Sequence, residues 1–161
     1  MAMAVAVDKI VSGGQTGADR AALEAAAALG IATGGWIPRG RRAEDGRVPG
    51  RYRGLVETAS DDYAERTLLN VRDSDATVIF GHGGLHGGSL LTAECARRLG
   101  RPLLILDFER EPPARAAATL AGWLERRRVR TLNCAGPRAS RDPRIAAATR
   151  RCLAAALGRM A

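Results

Sequence analysis

Lysine is almost missing from this chain: Lys9 is the single lysine among 25 basic residues, in a sequence of 161. Aromatics are scarce too, with two each of Trp, Tyr and Phe. A core must therefore be built from Ala, Val, Leu and Ile, and a basic stripe interleaved with aromatics, the signature of a nucleic-acid groove, is absent. Cys95, Cys134 and Cys152 lie too far apart for a C-x-x-C pair or a zinc knuckle, which fits reduced thiols in a cytoplasmic protein. No segment approaches the roughly 20 apolar residues of a membrane span, and no basic start leads into an apolar stretch. Neither a nucleic acid nor a membrane is expected as a partner. The net charge is +8, but the arginines are scattered, and Arg- and Ala-rich usage is also what a GC-rich genome produces. That balance favours an anionic small-molecule ligand.

Strand and helix patterns alternate along the chain. The expectation is one α/β domain over 1–161, a Rossmann-like, doubly wound, mostly parallel sheet with helices on both faces. Strands are predicted at 5–12, 31–36, 55–58, 76–80, 102–106 and 129–134. Helices are predicted at 18–29, 63–71 (capped by Ser60-Asp61-Asp62), 89–99, 114–127 after Pro112-Pro113, and from Asp142-Pro143 to about 157. Residues 38–54 show no periodicity and read as a long functional or mobile loop.

Two strand–glycine–helix junctions carry the functional signal. In the first, Ser12-Gly13-Gly14-Gln15-Thr16-Gly17 opens an alanine-rich helix. Glycines let backbone approach a phosphate, and the free N–H groups of a helix start point at it. Gly13, Gly14, Thr16 and Gly17 are expected to cradle one anionic group, with Asp19 and Arg20 orienting a ribose, metal or second phosphate. In the second, Ala76–Phe80 runs into Gly81-His82-Gly83-Gly84-Leu85-His86-Gly87-Gly88-Ser89, where Gly87, Gly88 and Ser89 would hold another. Neither G-x-G-x-x-G nor the P-loop pattern is met. Both junctions should open at the carboxyl edge of the sheet, where α/β proteins bind ligands. Trp36, Arg39, Arg41 and Arg42 belong to the stretch that would cover the site, and Asn133 and Arg138 lie at and after a strand end that would face it. Arginines there offer bidentate contacts to oxyanions. His82 and His86 are spaced i, i+4 but in glycine-rich coil, so no metal site is assigned, and no catalytic Ser/His/Asp or Cys/His set is legible.

Five stretches in order, Ser12–Arg20, Gly34–Gly46, Asn70–Asp75, Gly87–Glu94 and Asn133–Ser140, make the chain resemble the molybdenum carrier family. Its members are Rossmann-like proteins related to Lonely Guy-type and lysine-decarboxylase-type nucleotide-binding proteins. The resemblance implies binding of molybdenum cofactor, a pterin with a terminal phosphate and a dithiolene-held metal, by a non-enzymatic carrier. It further implies a homo-oligomer. It puts the ligand against Gln15 together with the glycines, Thr16, Asp19, Arg20, Trp36, Arg39, Ser89, Asn133 and Arg138. The alternative drawn from the Lonely Guy-type relatives is hydrolysis of nucleoside 5′-monophosphates. Their P-G-G-x-G-T-x-x-E glutamate would correspond to Glu94, in a stretch that lacks the leading proline and differs in spacing.

Overall fold

A computed structural model describes residues 7–158. Six strands form one sheet in the order β5-β2-β1-β8-β6-β7: β1 Lys9–Val11, β2 Ala32–Ile37, β5 Leu55–Glu57, β6 Ala76–Gly81, β7 Leu103–Asp107 and β8 Thr131–Ala135. Every pairing within it is parallel, so the sheet is parallel throughout. The start of the first expected strand, 5–6, lies outside the described residues. Four helices connect the strands, α1 Ala18–Ala28, α2 Tyr63–Arg72, α3 Gly87–Arg98 and α4 Pro113–Arg127, and α5 Ile145–Gly158 follows the last strand.

Crossover handedness explains which helix lies where. The steps β1→β2 and β7→β8 move one way across the sheet, and β5→β6 and β6→β7 move the other. Right-handed crossovers then place α1 and α4 on one face and α2 and α3 on the opposite face. The contacts agree: α5 packs on α1 and α4, and α2 packs on α3. The first face is the larger apolar core. Ala18, Ala22, Ala25 and Ala26 of α1 recur at the helical period, and with Leu120, Leu124 and Leu153 they bury Ile10, Val78, Phe80 and Leu132. Small side chains let these helices lie close to the sheet. The second face has a much smaller apolar cluster around Val71, Cys95 and Ala96, and near the carboxyl edge it turns polar.

The 38–54 stretch departs from the expected loop. It contains a short 3-10 turn at Arg39–Arg41 and a small hairpin of β3 Arg42–Ala43 and β4 Gly46–Arg47. Ala43, Val48 and Tyr52 are buried there against Leu23 and Ile37. The sequence disguises this because its apolar residues are isolated among arginines. Arg41 serves the fold, donating from Nε to the Val48 carbonyl at 2.9 Å and from Nη2 to the Pro49 carbonyl at 3.1 Å. Helix α2 begins as expected, with the Asp62 carboxylate accepting the Ala64 N–H at 3.1 Å. Helix α3 begins at Gly87, so Gly87 and Gly88 form its first turn. No helix is long and apolar enough to cross a membrane among the described residues.

Candidate functional site

All parallel strands end on one edge, and there the β1–α1, β6–α3 and β8–α5 junctions converge with the side of α2. They enclose a narrow compartment of about 60 Å³, lined by Gly13, Gln15, Asp19, Arg66, Thr67, Asn70, His86, Gly88, Ser89, Thr92, Asn133 and the 134–138 turn, with Arg141 at its rim. One water needs about 10–15 Å³ on this measure, so the space suits a single oxyanion-sized group. The two glycine junctions, separated by some seventy residues of sequence, thus share one cavity.

The unpartnered polar atoms in the lining of this compartment are of one kind. Four buried side-chain N or O atoms lack a hydrogen-bond partner among the described residues, and three of them belong to its lining: Gln15 Nε2, Arg66 Nε and Ser89 Oγ. All three can donate. Gln15 is orientated unambiguously, because its Oε1 accepts the Thr16 N–H at 3.1 Å and the Glu44 N–H at 2.9 Å, which leaves Nε2 as the free end. A buried donor without a partner costs about 1–3 kcal/mol, and three such donors belong to residues that line this one space. Gly88, in the uncapped first turn of α3, adds a backbone N–H at the same wall, whereas Gly87 lies outside the lining.

Arg66, which sequence reasoning missed, is held by a buried carboxylate. Its Nη1 lies 3.1 Å from Asp19 Oδ2, with side-chain exposures of 12% and 7%. Asp19 also accepts the Gln15 N–H at 3.2 Å. Burial pushes the Asp19 carboxyl up, opposed by the Arg66 guanidinium and the Gln15 hydrogen bond. Gly13 makes this arrangement possible: a Cβ there would stand 1.4 Å from Arg66 Nη1. The Tyr63 ring is flanked by the guanidiniums of Arg42, Arg66 and Arg138 at 4.6, 5.3 and 5.5 Å, a π face that offsets their crowding. Arg66 sits in an ordinary-looking helical repeat that carries no signal of its burial.

The other expected residues divide. Gly13, Gln15, Asp19, Gly88, Ser89, Asn133 and Arg138 line the compartment, as does Arg141. Asn133 is buried and donates to Thr77 Oγ1 at 3.2 Å. Gly14 and Gly17 are spent on protein contacts: their positive φ of 71° and 82° brings Gly14 against Ile37 and Val48, and Gly17 against the backbone of 137–139. Thr16 Oγ1 donates to Glu44 Oε1 at 2.5 Å and accepts the Ala139 N–H at 3.1 Å. Arg20 binds the Gly14 carbonyl at 3.0 Å and pairs with both Asp45 oxygens at 2.6 and 2.8 Å. Trp36 lies under α2, where Asn70 bonds its N–H and C=O at 2.7 and 2.9 Å and Asp73 accepts its Nε1–H at 2.9 Å. Arg39 is exposed beside Ala59, Ser60 and Asp61. Thr16, Arg20, Trp36 and Arg39 are thus engaged or exposed away from the compartment. Arg42 is exposed beside Tyr63 and donates to the Asp61 carbonyl at 3.1 Å. Glu94 is on the exposed side of α3, outside the lining.

Glu44 ties the 38–54 stretch over the site. It accepts from Thr16 Oγ1 and from the Ser140 N–H and hydroxyl at 3.2 and 2.6 Å, with Arg138 at 3.7 Å. Partial burial raises its carboxyl, but the Ser140 and Thr16 hydrogen bonds and Arg138 outweigh this and hold it below the usual range.

A family model described as the circularly permutated YpsA SLOG family matches residues 10–157. A crystal structure of a "putative molybdenum carrier protein" from Syntrophus aciditrophicus SB is similar at 47% identity and a TM-score of 0.93, covering 96% of this chain and 97% of that one. Among curated proteins no match was found.

Proposed function

The chain belongs to the circularly permutated YpsA SLOG family, and from that premise we propose that it is a carrier of molybdenum cofactor, binding its cargo by the terminal phosphate. The similar protein from Syntrophus aciditrophicus, named a molybdenum carrier, supports the cargo class. The observation that carries the reading is that three unpartnered buried donors, Gln15 Nε2, Arg66 Nε and Ser89 Oγ, all belong to residues lining one oxyanion-sized space. That donor set fits a phosphate: one permanent cation, one amide, one hydroxyl and the N–H groups of a helix start.

In this reading Arg66 supplies the charge, and Asp19 keeps its guanidinium in place. Gln15 and Ser89 fix the orientation of the oxyanion, while the α3 N-terminus contributes its positive end. Arg138 and Arg141 draw the anion to the mouth of the compartment. The cofactor brings its own metal and pterin, so the protein's task is to hold the phosphate and cover the body. Loading under anaerobic conditions, followed by gel filtration with molybdenum analysis and pterin fluorescence, tests this. Cargo should co-elute with the protein, and Ser89→Ala should release it about 10–150-fold more readily, the worth of one hydrogen bond to a charged group of about 1.5–3 kcal/mol. Elution of protein free of molybdenum and pterin would refute the carrier role.

A further inference from the structure

Beyond Ser89 the cleft widens into a second compartment of about 250 Å³, which shares His86, Ser89, Pro137 and Arg141 with the narrow one. His82 and Asp142 belong to its lining and not to that of the narrow one. We propose that the His82–Asp142 pair is a second ligand subsite, which hydrogen-bonds an N–H or O–H on the body of an organic phosphate. This rests on the reading that the ligand's oxyanion occupies the narrow compartment.

The pair joins two loops distant in sequence. His82 follows β6, Asp142 precedes α5, and His82 Nδ1 lies 2.6 Å from Asp142 Oδ2, with side-chain exposures of 11% and 12%. The carboxylate accepts, so Nδ1 donates and Nε2 is the ring nitrogen left for a ligand. Asp142 is itself fixed, its Oδ1 accepting the Arg144 N–H at 3.1 Å. The imidazole leans on Phe108, with ring centroids 5.6 Å apart. The loop carrying it is tied down by Asp107, whose Oδ1 accepts the Gly83 N–H at 2.8 Å. Three independent contacts thus set the ring, while Nε2 makes no hydrogen bond among the described residues. A carboxylate-oriented imidazole with its outer nitrogen free is the arrangement by which proteins present a histidine to a ligand.

Size points the same way. A bare oxyanion fills the narrow space and leaves the wide one to water. An ester with a heterocyclic body spans both, crossing between Ser89 and Arg141 to reach His82. The subsite therefore selects organic phosphates over inorganic phosphate.

Calorimetry with three probes tests this: inorganic phosphate, ribose 5-phosphate and guanosine 5′-monophosphate. Wild type should bind the nucleotide at least about tenfold more tightly than inorganic phosphate, a difference of about 1.4 kcal/mol. His82→Asn separates a ligand contact from a mere staple, because its amide nitrogen can replace Nδ1 against Asp142 while Nε2 is lost. It should keep the wild-type melting temperature and phosphate affinity but lose the nucleotide's advantage. Asp142→Asn, which favours the opposite tautomer, should lower the same affinity ratio. A ratio unchanged in both variants, or equal wild-type binding of phosphate and nucleotide, would overturn the subsite and leave the narrow compartment standing. Failure of wild type to bind any of the three would instead overturn the oxyanion reading beneath it.

Discussion

The two glycine runs look alike in sequence and do opposite things. At Ser12–Gly17 glycine lets protein approach protein. The space a side chain at Gly13 would need is filled by Arg66, and that at Gly17 by the Pro137 carbonyl, 2.5 Å from where a Cβ would stand. At Gly87-Gly88 a Cβ would meet nothing within 4 Å. Here glycine leaves open space beside exposed N–H groups. A glycine-rich turn is therefore not in itself a phosphate cradle. The first run builds the wall by admitting an arginine, and the second leaves the opening.

The sharpest way to break this contrast is Gly13→Ala. The new methyl must expel the Arg66 guanidinium and leave Asp19 buried without its partner. A loss of about 3–5 kcal/mol in unfolding free energy is expected, the usual cost of breaking a buried pair from one side, measured by denaturant titration. Stability within about 0.5 kcal/mol of wild type would show that Arg66 is not confined as described.

Next in size is Ser89→Ala, which removes a donor from the open side of the cleft. Phosphate affinity should fall by about 1.5–3 kcal/mol in calorimetry, with little change in melting temperature. The reverse pattern would make Ser89 a packing residue.

A pH effect probes the cover over the first run. Arg20 hydrogen bonds hold Asp45 below the usual carboxylate range against partial burial, and Glu44 is likewise depressed by Ser140, Thr16 and Arg138 against burial. Groups with depressed folded values stabilise fully above their unfolded pKa of about 4. They lose that contribution as pH falls below it. Protection against hydrogen exchange at the Val48 and Glu44 amides, which donate to Arg41 O at 2.7 Å and Gln15 Oε1 at 2.9 Å, should fall in acid before that of the core. Loss of protection on alkaline titration alone would contradict this.

The smallest effect is expected from Gly88→Ala on stability, within about 0.5 kcal/mol, since nothing crowds it and its φ is not positive. Arg39→Ala should likewise leave phosphate affinity unchanged.

Much of the fold was legible because its signals are local. The continuous apolar run 76–80 and the alanine period of α1 gave the sheet and its cover, and both glycine junctions lie at the carboxyl edge as expected. The site was legible only in part. Arg39 and Arg20 drew attention because arginine beside glycine suggests an anion, yet one faces solvent and the other is locked to Asp45. Arg66 was silent because its burial depends on a missing side chain 53 positions earlier, at Gly13. The His82–Asp142 pair spans 60 residues, so no motif contains it. Long-range pairing of single residues leaves no periodicity to read.

The central claim is that Gln15, Arg66 and Ser89 converge on one oxyanion. A crystal soaked in selenate tests it directly, since anomalous scattering locates the ion without ambiguity. The expected result is one ordered selenate within hydrogen-bond distance of Gln15 Nε2, Arg66 Nε and Ser89 Oγ. Selenate ordered instead beside Arg39 or over the Gly14–Gly17 turn, with only water against those three donors, would contradict it.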